Sequence, residues 1–452
     1  MLNLVTKFRT HIDRGGCALI DQVLVGGMNF LTMILVGRIA GAHQLGLFAL
    51  GFSIVLLIIA VQESLITTPA TIIAPRLGSD QRREYFGHAL LMQVALVIVA
   101  SVALVSIALA VRLSGGTAEI VTGLFVLAGV VPFWCLREFA RRLAFADLNA
   151  RAVLLLDGSV AVLLMIGLAA LTYTNQMSAA TAWGTAGIAT GVGSLGWLCA
   201  CRRKFRIQWS ALRNSLQRNW LTGKWMVVGQ TAHIATGETL PWMIAGTLGT
   251  EATGILAACR TIFRLVNPLV VTVSNLLTPY AAHAFAAGGQ TTINTIVRRT
   301  VFGLGTLMFV FVLFLSIFGG SLLALLFGDG YAQYHWLLVL LAVAQLVSLL
   351  HMGPGRALLV MDKPHYATTA DVVECGIVVA ISLPLIHWLQ LYGAAASYLA
   401  GAIASTWLVF ILYRSATSQL GDQTGRSNSH LPDLRRRGTT PDAAVVSMEG
   451  VE

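Results

Sequence analysis

Charge is scarce in this chain. Asp, Glu, Lys and Arg together make up 11% of 452 residues while 56% are hydrophobic, and so small a charged fraction cannot clothe the water-exposed surfaces of soluble domains of this total length. Cysteine is sparse as well. The six residues, Cys17, Cys135, Cys199, Cys201, Cys259 and Cys375, each fall within a predicted helix or at a cytoplasmic end, so no extracytoplasmic disulfide framework is implied. Cys199 and Cys201 lack the partner ligands and spacing of a zinc site, and the ten histidines are scattered, so no metal centre is expected. Glycines such as Gly26-Gly27 follow no strand and open no nucleotide fold, which excludes a phosphate loop and ATP hydrolysis. No cofactor is expected.

What is present is a dozen apolar runs, each long enough for a helix rising about 1.5 Å per residue to cross roughly 30 Å of hydrocarbon. They lie near 17–37, 47–74, 86–111, 119–140, 152–173, 179–200, 224–247, 253–280, 299–326, 334–358, 366–387 and 392–413. The fold class is therefore all-α and membrane-integral, with about twelve crossings. A net charge of +10 would suggest nucleic acid in a soluble protein, but no basic recognition element is present, and nucleic acid is not a partner. The basic residues instead cluster in every second loop. Only Arg38 and Arg112 fall on the opposite side, so the positive-inside bias places both termini in the cytoplasm of a multi-pass protein. The first apolar run, preceded by Lys7, Arg9 and Arg14 and ending in Ala40-Gly41-Ala42, imitates a secretion signal; its length and its Asp21, Gln22 and Asn29 mark it as a permanent helix.

A basic connection from Arg202 to Lys224 divides the chain, giving a six-helix bundle over 1–200, a cytoplasmic linker over 201–223, a second six-helix bundle over 224–413 and a disordered tail over 414–452. The tail holds Arg435-Arg436-Arg437, which reads first as a solvated charge run and second as a contact for anionic lipid headgroups. With six crossings per half, an internal repeat should be parallel. At an offset of 208 residues, Gly15 aligns with Gly223, Gln22 with Gln230, Gly41 with Gly249 and Gly46 with Gly254. Both copies are a helix, a short Gly-x-x-x-x-Gly turn and a second helix.

Charged groups at mid-bilayer cost about 2.5–3.5 kcal/mol on insertion scales and so need a wet cavity or a partner. Arg260 and Arg264 stand four residues apart on one face of the eighth crossing, about 10 and 17 Å below its outer end. Stacked guanidinium groups repel unless an anion neutralises them, and they suit phosphate or carboxylate. Either a transported anion or a salt bridge to Asp21, Glu63, Glu238, Asp371 or Glu374 satisfies them. Asp21, Glu63 and Glu238 are the candidates for binding a coupling proton or sodium ion, with neutral or ion-paired packing an equal reading of each. Pro69, Pro132, Pro241, Pro268, Pro354 and Pro384 interrupt crossings, as in helices that line a cavity.

At GRIAGAHQLGLFAL in the first half and LGTEATGILAACRTIF in the second, the chain resembles the polysaccharide exporter branch, including Wzx-type O-antigen flippases, of the multidrug/oligosaccharidyl-lipid/polysaccharide (MOP) superfamily. The resemblance spans about residues 10–413. It implies a MATE-like fold of two six-helix bundles facing each other in a V. It also implies a non-enzymatic transporter of the bacterial inner membrane, moving polyprenyl-pyrophosphate-linked oligosaccharide by alternating access among membrane lipids. Under it Arg260, Arg264 and Arg38 are the residues for the anionic headgroup, Arg38 being also explicable as an interfacial anchor. Two alternatives stand: a cation-coupled multidrug antiporter of the same superfamily, and a membrane polysaccharide polymerase or ligase. Short outer loops without a nucleophile-base pair leave the last little to build on.

Overall fold

A computed structural model describes residues 20–429 apart from 148 and 362. All regular secondary structure in those residues is helical. The first helix, α1 (20–35), passes through a π turn, Val36–Ala40, into α2 (Gly41–Gln62), which continues through a second π turn, Glu63–Thr67, to Thr68–Ile73. There follow α3 (Ser79–Leu113), α4 (Ala118–Ala146), α5 (Ala150–Tyr173), α6 (Ala179–Ala200), α7 (Trp209–Thr247) and α8 (Thr250–Phe263). The chain closes with α9 (Asn267–Phe327), α10 (His335–Leu350), α11 (Met352–Val360) and α12 (Pro364–Ser429).

Seven helical runs among the described residues are long and apolar enough to cross a membrane. Ile20–Arg76 and His365–Ser418 each hold two of the predicted crossings, and five other runs hold one apiece; the remaining predictions fall on α6, on α7, and on α8 continued through a 3-10 turn, Arg264–Val266, into the start of α9. In α3 only 11% of the most apolar stretch is buried. Its Ile98, Val99 and Val102 are exposed, the inversion expected where the solvent is lipid. The protein is a multi-pass membrane protein of the predicted class.

Helix boundaries differ from the sequence reading in three places. Helix α7 begins at Trp209, inside the expected linker, because Ser215, Asn219 and Gly223 recur every fourth residue and are buried against the first half. Helical backbone also runs through the expected loop between the eighth and ninth crossings, where Ile293, Ile296 and Val297 form a buried stripe. At the other end α12 continues to Ser429, past the expected start of a disordered tail, since Tyr413, Ala416 and Thr417 remain buried. The arginine triplet 435–437 lies outside the described residues. Within α12 the expected break between the last two crossings is present at Gln390 (φ 51°, ψ −130°).

Helices α2 to α6 pack on one another around Trp134, Leu164 and Trp183, and α8 to α12 around Leu256, Leu337 and Leu341. The two groups meet where α2 crosses α8. Gly41 and Gly249 start those helices with nearly the same backbone, φ 86°, ψ 175° and φ 89°, ψ 177°, a left-handed region that side chains resist. One turn on, a Cβ on Gly46 would stand 1.9 Å from the Thr250 carbonyl oxygen, and a Cβ on Gly254 1.8 Å from that of Ala42. Each glycine of one half thus receives the backbone of the other. The repeat seen in sequence is a repeat in contact.

Candidate functional site

Near this crossing, α7 and α8 bring three charges together. Arg260 donates from Nη2 to Glu238 Oε1 at 3.0 Å and to the Gly237 carbonyl at 3.0 Å. Arg264, one turn on, donates to the same Glu238 oxygen at 3.2 Å. Two guanidinium groups share one carboxylate, so a positive charge is left without a counter-ion in this cluster. The side chain of Arg260 is 14% exposed and that of Arg264 39%.

Arg264 lines each of three cavities, of about 460, 170 and 30 Å³. The largest lies between the two halves: Gln22, Asn29, Phe52 and Trp134 of the first face Thr261, Arg264 and Asn267 of the second. Its first-half wall is aromatic because Phe52 packs edge-on to Trp134 with centroids 6.2 Å apart, and Phe48 stacks on Trp183 at 4.6 Å. The second cavity opens toward Gln345 and Tyr398 in the second half. The site is therefore an apolar, aromatic chamber with a cationic floor and a few hydrogen-bonding groups, suited to an anionic group attached to an amphipathic body.

The other residues singled out in the sequence lie elsewhere. Asp21, buried, accepts from Arg141 Nη2 at 3.0 Å. Glu63, in the π turn of α2, pairs with Arg142. Arg38 lines none of these three cavities; it is exposed and donates to the Leu325 carbonyl. A cation on the last turn of a helix such as α9 satisfies an orphan carbonyl and complements the helix dipole, an anchoring role. So Arg260, Arg264 and Glu238 converge, whereas Arg38, Asp21 and Glu63 each join a different contact.

Sequence reasoning missed a second charge cluster in the first half. Arg137 contacts Asp157 at 2.8 Å, Arg141 contacts Asp157 at 2.6 Å, and Arg141 also pairs with Glu138 at 3.0 Å. The clustering of basic residues in alternate loops predicts Arg137 and Arg141 as cytoplasmic loop charges; the structure places them in the last turns of α4, with Arg137 and Asp157 each 1% exposed. The available signal was their spacing, four residues, the same as that of Arg260 and Arg264. The aromatic wall of Phe52 and Trp134 was also not anticipated, since aromatic residues in membrane helices are common.

No family model matches the chain, and no curated protein matches its sequence. Solved structures do match its coordinates. An inward-facing multidrug resistance MATE family transporter of the MOP superfamily superposes with a TM-score of 0.73 at 16% identity, over 89% of this chain and 96% of that one. The fold is the MATE fold. A MOP superfamily transporter from Pyrococcus furiosus, described as having a binding pocket of reverse polarity that suggests a different function, matches with a TM-score of 0.63 at 16% identity, over 91% of this chain and 96% of that one. The Vibrio cholerae MATE transporter VcmN in its bent form matches at 0.59 and 16% identity, over 93% and 99%. Identities this low establish a shared architecture of two facing helical groups and do not assign a substrate.

Proposed function

We propose that this chain is a flippase for polyprenyl-pyrophosphate-linked oligosaccharide, working by alternating access in a bacterial inner membrane with both termini in the cytoplasm. The observation that carries the reading is the pair Arg260 and Arg264 sharing one carboxylate at the edge of a chamber between the halves. A pyrophosphate entering the chamber replaces Glu238 as counter-ion through charge-assisted, paired hydrogen bonds. The aromatic wall opposite offers sugar rings an apolar face beside hydrogen-bonding Gln22 and Asn29. Glu238, released, is then free to take the coupling proton or sodium ion, so that substrate and ion compete for the same two cations. Asp21, Glu63 and Glu238 all stand within arginine pairs, and Glu238 alone of them lines a cavity that Arg264 also lines, the smallest of the three.

Replacing Arg260 and Arg264 together with alanine should abolish surface polysaccharide while the protein remains in the membrane at normal abundance. Surface polysaccharide at the wild-type level would defeat the assignment.

A second reading, a cation-coupled multidrug antiporter, is favoured by the MATE fold itself, because two of the matching structures are described as multidrug resistance transporters. A cationic floor disfavours cationic drugs. Drug accumulation in a deletion strain separates the two readings: unchanged efflux discards the antiporter, and raised drug accumulation with normal polysaccharide favours it.

A further inference from the structure

Away from the chamber, a cleft of about 410 Å³ opens on the flank where α3 meets the cytoplasmic end of α7. Leu65 and Ile66 of the α2 π turn, Met92 and Leu96 of α3, and Leu216 and Trp220 of α7 form its apolar walls. Its volume falls in the range of about 300–1,000 Å³ usual for ligand pockets. The cleft is built from fixed parts. Tyr85 donates to Asn219 Oδ1 at 2.5 Å, the Asn219 amide reaches Met92 Sδ at 3.2 Å, and His88 meets Ser215 Oγ at 2.9 Å and the Gln208 carbonyl at 2.8 Å. His88 and Asn219 are buried, so these contacts pin the α7 wall against α3.

The α7 wall continues into a cationic face. Arg213 lies three and four residues before Leu216 and Gln217, one turn nearer the cytoplasmic end on the same helix face. It is exposed. Arg202, Arg203, Lys204 and Arg206 precede it, and no Asp or Glu occurs from Arg202 to Lys224. Trp209 and Trp220 are 71% and 58% exposed, as aromatic anchors at a membrane interface are. The carboxylates nearest this edge, Glu84 and Glu63, are matched by Arg206 and Arg142, so an apolar cleft on the lipid-facing flank with Arg213 and a basic segment at its cytoplasmic edge matches an acyl chain joined to a negative headgroup.

We propose that this cleft binds an anionic phospholipid of the inner leaflet, with one acyl chain between Met92 and Trp220 and the phosphate on Arg213. Because the cleft is walled by α2 and α3 of one helical group and by α7, which carries Glu238, the bound lipid holds that seam in one arrangement and ties the chamber to membrane composition. The site stands on its own geometry and does not depend on what the chamber transports.

The full-length protein, delipidated in detergent and re-equilibrated with phosphatidylglycerol or phosphatidylcholine, tests it by native mass spectrometry. Wild type should retain phosphatidylglycerol in clear preference, and Arg213→Gln should cut that preference about fivefold. Ala95 lines the cleft and is exposed, so Ala95→Trp fills it without disturbing the core and should remove the retained lipid from a folded protein. Equal retention of both lipids by wild type, or undiminished phosphatidylglycerol on Ala95→Trp, would overturn the site. Displacement of phosphatidylglycerol by undecaprenyl phosphate in wild type but not in Ala95→Trp would overturn the bilayer-lipid assignment and give the cleft to a polyprenyl chain instead.

Discussion

Arg137 with Arg141 and Arg260 with Arg264 have the same spacing and opposite surroundings. The first pair meets Asp21, Glu138 and Asp157 and is buried in carboxylates; the second shares Glu238 and faces open cavities. Breaking a buried pair leaves an uncompensated charge that costs about 3–5 kcal/mol. Asp157→Asn should therefore lower the stability of the purified protein by roughly 3 kcal/mol, read as a fall of several degrees in the thermal midpoint. At Glu238 the partners line cavities, so Glu238→Gln should cost less, about 1–2 kcal/mol, and on the proposed function should sharply reduce polysaccharide export in the same cells. An unchanged export rate with a large loss of stability would make Glu238 a purely structural residue. None of this contrast was legible in the sequence: Asp21 lies 120 positions from Arg141, and periodicity cannot say which distant carboxylate arrives beside a cation. The positions of Arg260 and Arg264 were legible because a permanent charge inside an apolar run needs an explanation wherever it falls.

At the scale of helices, the informative residues are glycines. The alignment of Gly41 with Gly249 and Gly46 with Gly254 in sequence corresponds to two matching positive-φ starts and a reciprocal crossing of α2 and α8. Adding a Cβ to Gly254 would put it 1.8 Å from a backbone oxygen of Ala42, which a helix cannot yield without separating from its neighbour. Gly254→Val and Gly46→Val should each abolish the monodisperse folded protein on size exclusion. Gly41→Ala and Gly249→Ala meet no neighbour and should each cost only the left-handed penalty of about 1–2 kcal/mol, with the two effects nearly equal. Helix lengths were less legible than helix existence. Apolar runs end where the hydrocarbon ends, but helices α7 and α9 continue beyond because polar or amphipathic stripes such as Ser215, Asn219 and Ile293, Val297 find partners outside the bilayer.

For the whole molecule, the proposed transport through the chamber would require the two helical groups to move relative to each other while the α2–α8 crossing holds or parts. His43 bridges the halves there, 2.6 Å from Thr250 Oγ1 and 2.6 Å from Glu119. A cysteine pair at His43 and Thr250 in an otherwise cysteine-free protein should, once oxidised, stop polysaccharide export, and a reductant should restore it; export that continues with the bond intact would mean this end does not open. The sequence by itself determined the solvent of this protein, the approximate number of its crossings, the glycine turns and the existence of cations inside its apolar runs. These follow from hydrophobicity and backbone sterics, which are properties of neighbouring residues. Only the tertiary structure decided which cations are neutralised, which helices run on past the membrane, and that Phe52 and Trp134 stand opposite Arg264. Each of those depends on groups far apart in the chain, brought together by packing that no local pattern records.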